Sequence, residues 1–283
     1  MGFMATIKAQ KAYSLHGKGQ TEEAKKVYEE AIAGGLDQPR YFLSYSVLLI
    51  RSGEFERARD ILKKAEKLPG LNDEQKTQLF TNYAACMYRL DSLDKGINLL
   101  EKRHIHAPAG MLYQTLGYLY VEKFDPINLP DFEAIDQANQ ATYEKACDEA
   151  RSNAEAAGTE LILPDPPVPA KEAYLLHKEK AGKFIEESID YDDEDTICLD
   201  NMGQWYYRVL GDKVTAKSYF EKAIELKEDQ IDTLWFLSRY DLEEGNNAKA
   251  LERLNTGLGG RFSALNYKSK QDFTDEIARI KAL

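Results

Sequence analysis

The sequence predicts an all-α solenoid of about six helix-turn-helix units, on two observations. First, a pattern of small and bulky residues recurs after 34 residues, from Ala24 to Ala58 and again from Ala216 to Ala250. Second, 43% of the residues are hydrophobic and 30% are charged, which fits a helix-rich chain with a buried core. The 283 residues are enough for one extended domain or two compact ones.

The second helix of each unit carries a stripe of small, bulky and small residues. Its four clearest copies are "GQTEEAKKVYEEA", "GEFERARDILKKA", "GDKVTAKSYFEKA" and "GNNAKALERLNTG". Residues at i, i+4 and i+7 lie on one helical face, so the stripe predicts close packing against a neighbouring helix. A glycine stands five residues before the first small residue in every copy, where its tolerance of positive φ suits a tight turn.

An amphipathic first helix is predicted before the turn of each unit, as in "YFLSYSVLLI", "ICLDNMGQWYYRVL" and "IDTLWFLSRYDL". One helix pair cannot bury its apolar faces alone, so each unit must stack on the next. The period and the residue pattern resemble the tetratricopeptide repeat, best of all over residues 196–229. The signature places are held there by Leu199, Met202, Gly203, Tyr206, Ala216, Phe220 and Ala223.

The resemblance, which is to bacterial tetratricopeptide-repeat arrays, implies a right-handed α-solenoid of about six repeats. The repeats are predicted to start near Ala5, Pro39, Thr77, Gly110, Thr196 and Ile231. The last segment, "DFTDEIARIKAL", is predicted to be a C-terminal capping helix.

The repeat pattern is interrupted after the first helix of repeat four. The chain continues with "DPINLPD", an Ala- and Glu-rich segment over residues 132–157 and a proline-rich connector, before Ala181, Ile185 and Ser188 restore the stripe. We predict a helical insertion over residues 126–170, between residues 1–125 and residues 171–262, with the cap at 263–283. The alternative makes the inserted helix itself the second helix of repeat four, because "ATYEKA" also fits the stripe.

The sequence offers no motif for catalysis or for metal binding. His104 and His106 are two residues apart and point in different directions on a helix, and Cys86, Cys147 and Cys198 form no CxxC pair. We therefore expect a protein that is not an enzyme and that uses no cofactor or metal. The widely spaced cysteines suit a reducing compartment, and we expect a cytoplasmic location, or a soluble cytosolic-facing domain if an upstream anchor was removed.

Charge and hydropathy narrow the class of partner. The net charge of −11 repels phosphates and anionic lipids, so we expect no nucleic acid, and no run of residues is apolar enough for a membrane span in this chain. A protein or peptide of neutral or basic character is the expected partner. The oligomeric state is not predicted.

The family resemblance implies that the first helices line a concave groove in which partners bind. Carrying the family's groove positions onto this sequence gives the partner-binding candidates Tyr13, Leu43, Val47, Tyr88, Gln114, Tyr118, Gln204, Tyr207, Trp235 and Arg239. Tyrosine and tryptophan combine a large apolar area with a polar group, which suits peptide binding. We therefore predict a non-enzymatic protein–protein interaction scaffold that holds a peptide or protein segment in the groove.

Two other modes of protein interaction are alternatives to this prediction. One subclass of the family grips the C-terminal carboxylate of chaperones with lysine and asparagine, but the corresponding places here offer Asn82 and no basic side chain. The alternative function is a structural or assembly subunit that pairs through its convex face or its C-terminal helix. An exposed stripe of Phe273, Ile277 and Ile280 would support that function, whereas burial against repeat six would make the segment an ordinary cap.

Overall fold

The computed structural model describes residues 2–282, and within that range it is a solenoid of helical repeats without β-strands. Its paired helices are α1 (Gly2–Gly17) with α2 (Thr21–Ala33), α3 (Pro39–Arg51) with α4 (Phe55–Glu66), and α5 (Asp73–Arg89) with α6 (Leu93–His106). They continue as α7 (Gly110–Phe124), α8 (Phe132–Ala157), α9 (Ala170–Tyr191), α10 (Thr196–Gln204) with α11 (Lys213–Leu226), α12 (Ile231–Glu243) with α13 (Asn247–Leu258), and α14 (Lys270–Lys281). None of these helices is long and apolar enough to cross a membrane.

The predicted stripes lie in the interior of the solenoid. All of their alanines and bulky residues are fully buried: Ala24, Tyr28, Ala31, Ala58, Leu62, Ala65, Ala216, Phe220, Ala223, Ala250 and Leu254. Small residues at both ends of a stripe let two helices approach closely, while the bulky residue fills the space between them. This packing confirms the fold class predicted from the sequence.

The turns between paired helices take the predicted left-handed conformation. Gly19, Gly53, Gly211 and Gly245 have φ angles between 73° and 76°. Asp91 holds the same place in the third repeat with a φ of 52°. Aspartate is among the few residues other than glycine that adopt this conformation, so the turn survives there without a glycine.

Side chains next to the turns stabilise the starts of several helices. Asp195 accepts hydrogen bonds from the backbone N–H groups of Ile197 and Cys198 at the start of α10, and Asp212 accepts one from Thr215 at the start of α11. These bonds satisfy N–H groups that have no partner inside the helix. The boundaries of repeat five are therefore fixed by local residues.

The second helix of repeat four is provided by α9. This helix packs against α7 and α10, as a second helix does, and its stripe residues Ala181, Ile185 and Ser188 are buried. In contrast, α8 packs along α9 and has a single buried residue, Cys147. These contacts favour the insertion over the alternative in which α8 completes the repeat. The predicted boundaries of the insertion at residues 126 and 170 stay a prediction.

The C-terminal helix closes the end of the solenoid. It packs against α13, and Phe273, Ile277 and Ile280 are buried there. The suggestion that this stripe pairs with another chain is therefore wrong, because its apolar face is already covered by repeat six.

The close approach of two helices in repeat five can be tested at Gly203. A Cβ atom at this position would lie 2.5 Å from Cε1 of Phe220, which is fully buried and cannot move away freely. We expect Gly203→Ala to lower the free energy of unfolding by about 1–3 kcal/mol in chemical denaturation. Gly17→Ala is the control, because a Cβ atom there meets no atom within 4 Å, and equal effects of the two substitutions would contradict this packing.

Candidate functional site

The face formed by the first helices is crossed by a connection from the end of the chain. We call residues 259–269, between α13 and α14, the crossing loop. Arg89, at the end of α5, donates a hydrogen bond from Nε to the backbone oxygen of Ala264 over 2.7 Å. Its guanidinium also donates to the backbone oxygen of Asn266 over 3.4 Å. The loop thus spans from repeat six back to repeat three.

Tyr267 holds the crossing loop against repeats five and six. Its backbone N–H donates to the two carboxyl oxygens of Asp232 over 3.2 and 3.1 Å. Its ring stacks on Phe236 with the ring centres 5.2 Å apart, and the guanidinium of Arg208 lies 4.0 Å from the centre of the Tyr267 ring. The loop is therefore held by a hydrogen bond, an aromatic contact and a cation–π contact.

Arg208 is the centre of a buried network beneath the crossing loop. It lies in a π-helical stretch, Trp205–Leu210, that continues α10, and its side chain is 3% exposed. Its Nε donates to Asp125 over 2.8 Å, its Nη1 donates to Gln204 over 2.8 Å, and Glu122 forms an ion pair with it at 2.7 Å. A buried guanidinium needs such partners, because an unpaired buried charge costs several kcal/mol. The network joins repeat four to repeat five.

Two further carboxyl groups are buried at the edge of this network. Asp200 accepts hydrogen bonds from Gln204 and Thr233 over 2.7 and 2.6 Å, and burial raises its pKa to about 6. Burial, and then the nearby Asp200 carboxyl, raise the pKa of Asp232 well above its ordinary value. Both carboxyl groups are therefore easier to protonate in the folded chain than in the unfolded one.

Most of the predicted groove residues lie under the crossing loop or in the packed interior. Leu43 is 1% exposed and Gln204 is fully buried, so neither offers a surface to a partner. Tyr118 is 3% exposed and, with Gln114, lines a cavity of about 150 Å³ under the crossing loop. A partner would have to displace the loop to reach these two residues.

Tyr88 and the remaining candidates of the C-terminal half are engaged in contacts within the chain. The Tyr88 hydroxyl donates to Glu122 over 2.8 Å. Tyr207 packs against Phe236 and Tyr240, while Trp235 lies against Phe273 of the cap. Arg239 stacks over Trp235 and forms an ion pair with Glu276 of α14. The groove positions taken from the family thus fall here on residues that already contact neighbouring helices or the C-terminal helix.

An open cavity remains at the N-terminal end of the same face. Its volume is about 870 Å³, and its walls come from α1, α3, the start of α5 and the crossing loop. Tyr13, 61% exposed, and Val47 are the predicted groove residues that line it. Other residues that line it include His16, Arg40, Tyr41, Ser44, Arg51, Gln78 and Arg261. The structure therefore brings two of the ten candidates together in an accessible site.

The electrostatic character of the open cavity is positive. Arg40, Arg51 and Arg261 line it, and no aspartate or glutamate is among its lining residues. Burial, and then the Arg51 guanidinium, lower the pKa of His16, whose Nδ1 lies 3.4 Å from the Ser44 hydroxyl oxygen. The cavity is thus opposite in sign to the chain as a whole, whose net charge is −11.

Sequence reasoning did not identify these arginines as one set. Arg40 and Arg51 are eleven residues apart on α3, which is about three helical turns. Their spacing in the sequence therefore indicated that they share one face of the helix. Arg261 comes from the crossing loop, more than two hundred residues further along the chain. No local pattern predicts that contact.

Comparison with known proteins agrees with the repeat pattern. A family model described as "Tetratricopeptide repeat" matches residues 5–33 and 200–230. No curated protein sequence matches the chain.

Solved structures share the fold at low sequence identity. A thermophilic TPR protein of Thermus thermophilus aligns with a TM-score of 0.58 and 15% identity, over 87% of this chain and 100% of that one. PilW, a type IV pilus biogenesis factor, aligns with a TM-score of 0.55 and 12% identity, over 96% and 98% of the two chains. Pseudomonas aeruginosa PilF aligns with a TM-score of 0.51 and 13% identity, over 96% and 97%. At these identities the likeness concerns the fold alone.

The attachment of the crossing loop can be tested at Arg89. Arg89→Ala removes the hydrogen bonds to Ala264 and Asn266, and a charged hydrogen bond contributes about 1.5–3 kcal/mol. We expect hydrogen exchange of amides in residues 259–269 to become roughly tenfold faster or more. Arg59→Ala is the control, since Arg59 pairs with Asp60 on α4, and unchanged exchange in Arg89→Ala would show that the loop is held by other contacts alone.

The buried carboxyl groups predict a pH dependence of stability. Because burial raises the pKa of both groups in the folded state, the folded chain keeps protons that the unfolded chain releases. The contribution of Asp200 to stability falls as the pH rises from 3.8 through about 6. We expect Asp232→Asn to raise the free energy of unfolding more near pH 7 than near pH 4, because the amide stays uncharged at both pH values while the buried carboxyl is destabilised as it loses its proton.

Urea unfolding at both pH values measures this difference. Asp165→Asn, at an exposed position in the proline-rich connector, is the matched control. A loss of stability of equal size at both pH values would mean that the hydrogen bond to Tyr267, and not the buried charge, dominates at Asp232.

Proposed function

We propose that this chain, which is similar to tetratricopeptide-repeat proteins in its repeat pattern and fold, is a non-enzymatic scaffold that binds a peptide or protein segment in the open cavity between α1, α3 and α5. The observation that carries the proposal is the cavity itself, which is lined by first helices and is not covered by the rest of the chain. Its volume of about 870 Å³ lies within the range of pockets that bind ligands.

The lining of the cavity supports binding of a polypeptide. Tyr13, which is 61% exposed, offers aromatic surface with a hydroxyl group, and Val47 offers an aliphatic contact in the same cavity. Such aromatic side chains contribute much of the binding energy in protein interfaces. Ser44, Gln78 and Arg40 can supply hydrogen bonds to a backbone or to polar side chains.

The same lining gives little support to catalysis. His16 and Ser44 are 3.4 Å apart, which is the approach of a possible nucleophile to a base. However, no carboxylate lines the cavity to orient the imidazole, and Arg51 makes His16 a weaker base. These features support a binding role for both residues.

A cytoplasmic location is part of the same proposal. Cys86, Cys147 and Cys198 are all buried and unpaired with one another. Free cysteines in this state suit a reducing compartment.

Peptide selection on the full chain tests the proposed site. Peptides are selected from a random library on the wild type, and their affinities are then measured by fluorescence anisotropy for Tyr13→Ala and Val47→Asp. We expect each substitution to weaken binding by about tenfold or more, because an anchor contact in the cavity is lost.

Val214→Asp is the matched control, since Val214 is 85% exposed on α11 and does not line the cavity. Circular dichroism checks that all variants are folded. If the selected peptides bind every variant as they bind the wild type, or if no peptide is selected, the open cavity is not the binding site.

A further inference from the structure

The arginines of the open cavity differ from most others in the chain. Most arginines within residues 2–282 form a salt bridge with a carboxylate, such as Arg57 with Glu29 or Arg253 with Asp241. The arginines without a carboxylate partner in that range are Arg40, Arg51, Arg89 and Arg261. Arg89 bonds to the crossing loop, so the three others are concentrated in the open cavity.

This concentration stands out against the composition of the chain. Aspartate and glutamate number 48, against 37 lysines and arginines, so carboxylates are the more common charged group on the surface. Even so, no carboxylate is among the residues that line the cavity, and its three guanidinium groups form no salt bridge within residues 2–282. A guanidinium offers a planar set of N–H donors that matches the two oxygens of a carboxylate.

We propose that the open cavity selects a segment rich in aspartate and glutamate, whose side-chain carboxylates bind Arg40, Arg51 and Arg261. The inference rests on the proposed function and names the chemistry of its partner. This acidic segment takes the place of the neutral or basic partner that the net charge led us to expect. A bound ligand interacts at short range with the charged groups of the cavity, whereas solvent screens its interaction with the more distant charges of the chain.

The apolar part of the cavity adds a second requirement on the ligand. Tyr13, Tyr41 and Val47 lie among the arginines, so an acidic segment with an aromatic or aliphatic residue between its carboxylates fits the site better than a purely acidic run. Phosphate groups share the affinity of carboxylates for arginine. A long polyanion is disfavoured by the net charge of −11, and a phosphorylated segment is distinguished by the experiment.

The experiment uses the peptides selected on the full chain. Each cavity-binding peptide is synthesised in three matched forms: as selected, with every Asp and Glu replaced by Asn and Gln, and with an amidated C-terminus. We expect acidic residues to be enriched among the peptides, the Asn/Gln form to bind at least tenfold more weakly, and the amidated form to bind like the original. Loss of binding on amidation would overturn the proposal, because the terminal carboxylate would then be the bound group.

Variants of the protein provide the second arm. Arg40→Gln combined with Arg51→Gln is expected to weaken the selected form about tenfold and to leave the affinity for the Asn/Gln form unchanged. Arg59→Gln is the matched control, since Arg59 lies on α4 and does not line the cavity. Equal loss of affinity for both peptide forms would overturn the proposal, because it would show that the arginines do not distinguish carboxylates from amides.

His16 gives a readout from inside the cavity. Arg51 contributes to the low pKa of His16, so a carboxylate bound at Arg51 should raise that pKa in an NMR titration, whereas the Asn/Gln peptide should not. Inorganic phosphate and acetate are compared as competitors at equal ionic strength. Displacement by phosphate alone would overturn the proposal in favour of a phosphorylated segment.

These outcomes separate the inference from the proposed function. If selected peptides depend on Tyr13 and Val47 but are neutral or basic, the inference fails and the proposed function stands. If no peptide depends on Tyr13 and Val47, the proposed function fails as well.

Discussion

The buried ion pairs of Arg208 are the interaction on which the arrangement of the groove depends. Glu122 of α7 and Asp125, the residue that follows this helix, meet the guanidinium in the interior, and Tyr267 of the crossing loop covers it. A buried charge is tolerated only when its partners are in place, so the network requires repeat four, repeat five and the loop to adopt one arrangement. The π-helical stretch that contains Arg208 brings the side chain into this position, and such stretches often occur at functional sites.

That arrangement divides one face of the solenoid into two parts with different roles. Under the crossing loop, the first helices contact backbone and side chains from their own chain, much as they would contact a bound segment. At the N-terminal end, α1 and α3 line the open cavity of about 870 Å³, whose walls carry three arginines and two tyrosines. The face is therefore used twice, once for folding and once for the proposed partner.

The sequence predicts the repeats well because their determinants are local. The stripe through Ala216, Phe220 and Ala223 and the turn at Gly211 are each specified within about four helical turns. The site is harder to predict, because the cover over Tyr118 depends on a loop far away in the sequence. Net charge is a sum over the whole chain, so it does not report the sign of one cavity.

The crossing loop also changes the mechanical character of the solenoid. A stack of repeats that contact only their neighbours behaves like a spring, whose ends separate when it is stretched. Here Ala264 accepts a hydrogen bond from Arg89, so the last connection joins repeat six directly to repeat three, which is not its neighbour in the stack. Extension of the superhelix between repeats three and six would therefore have to break the hydrogen bonds that Arg89 donates to this loop.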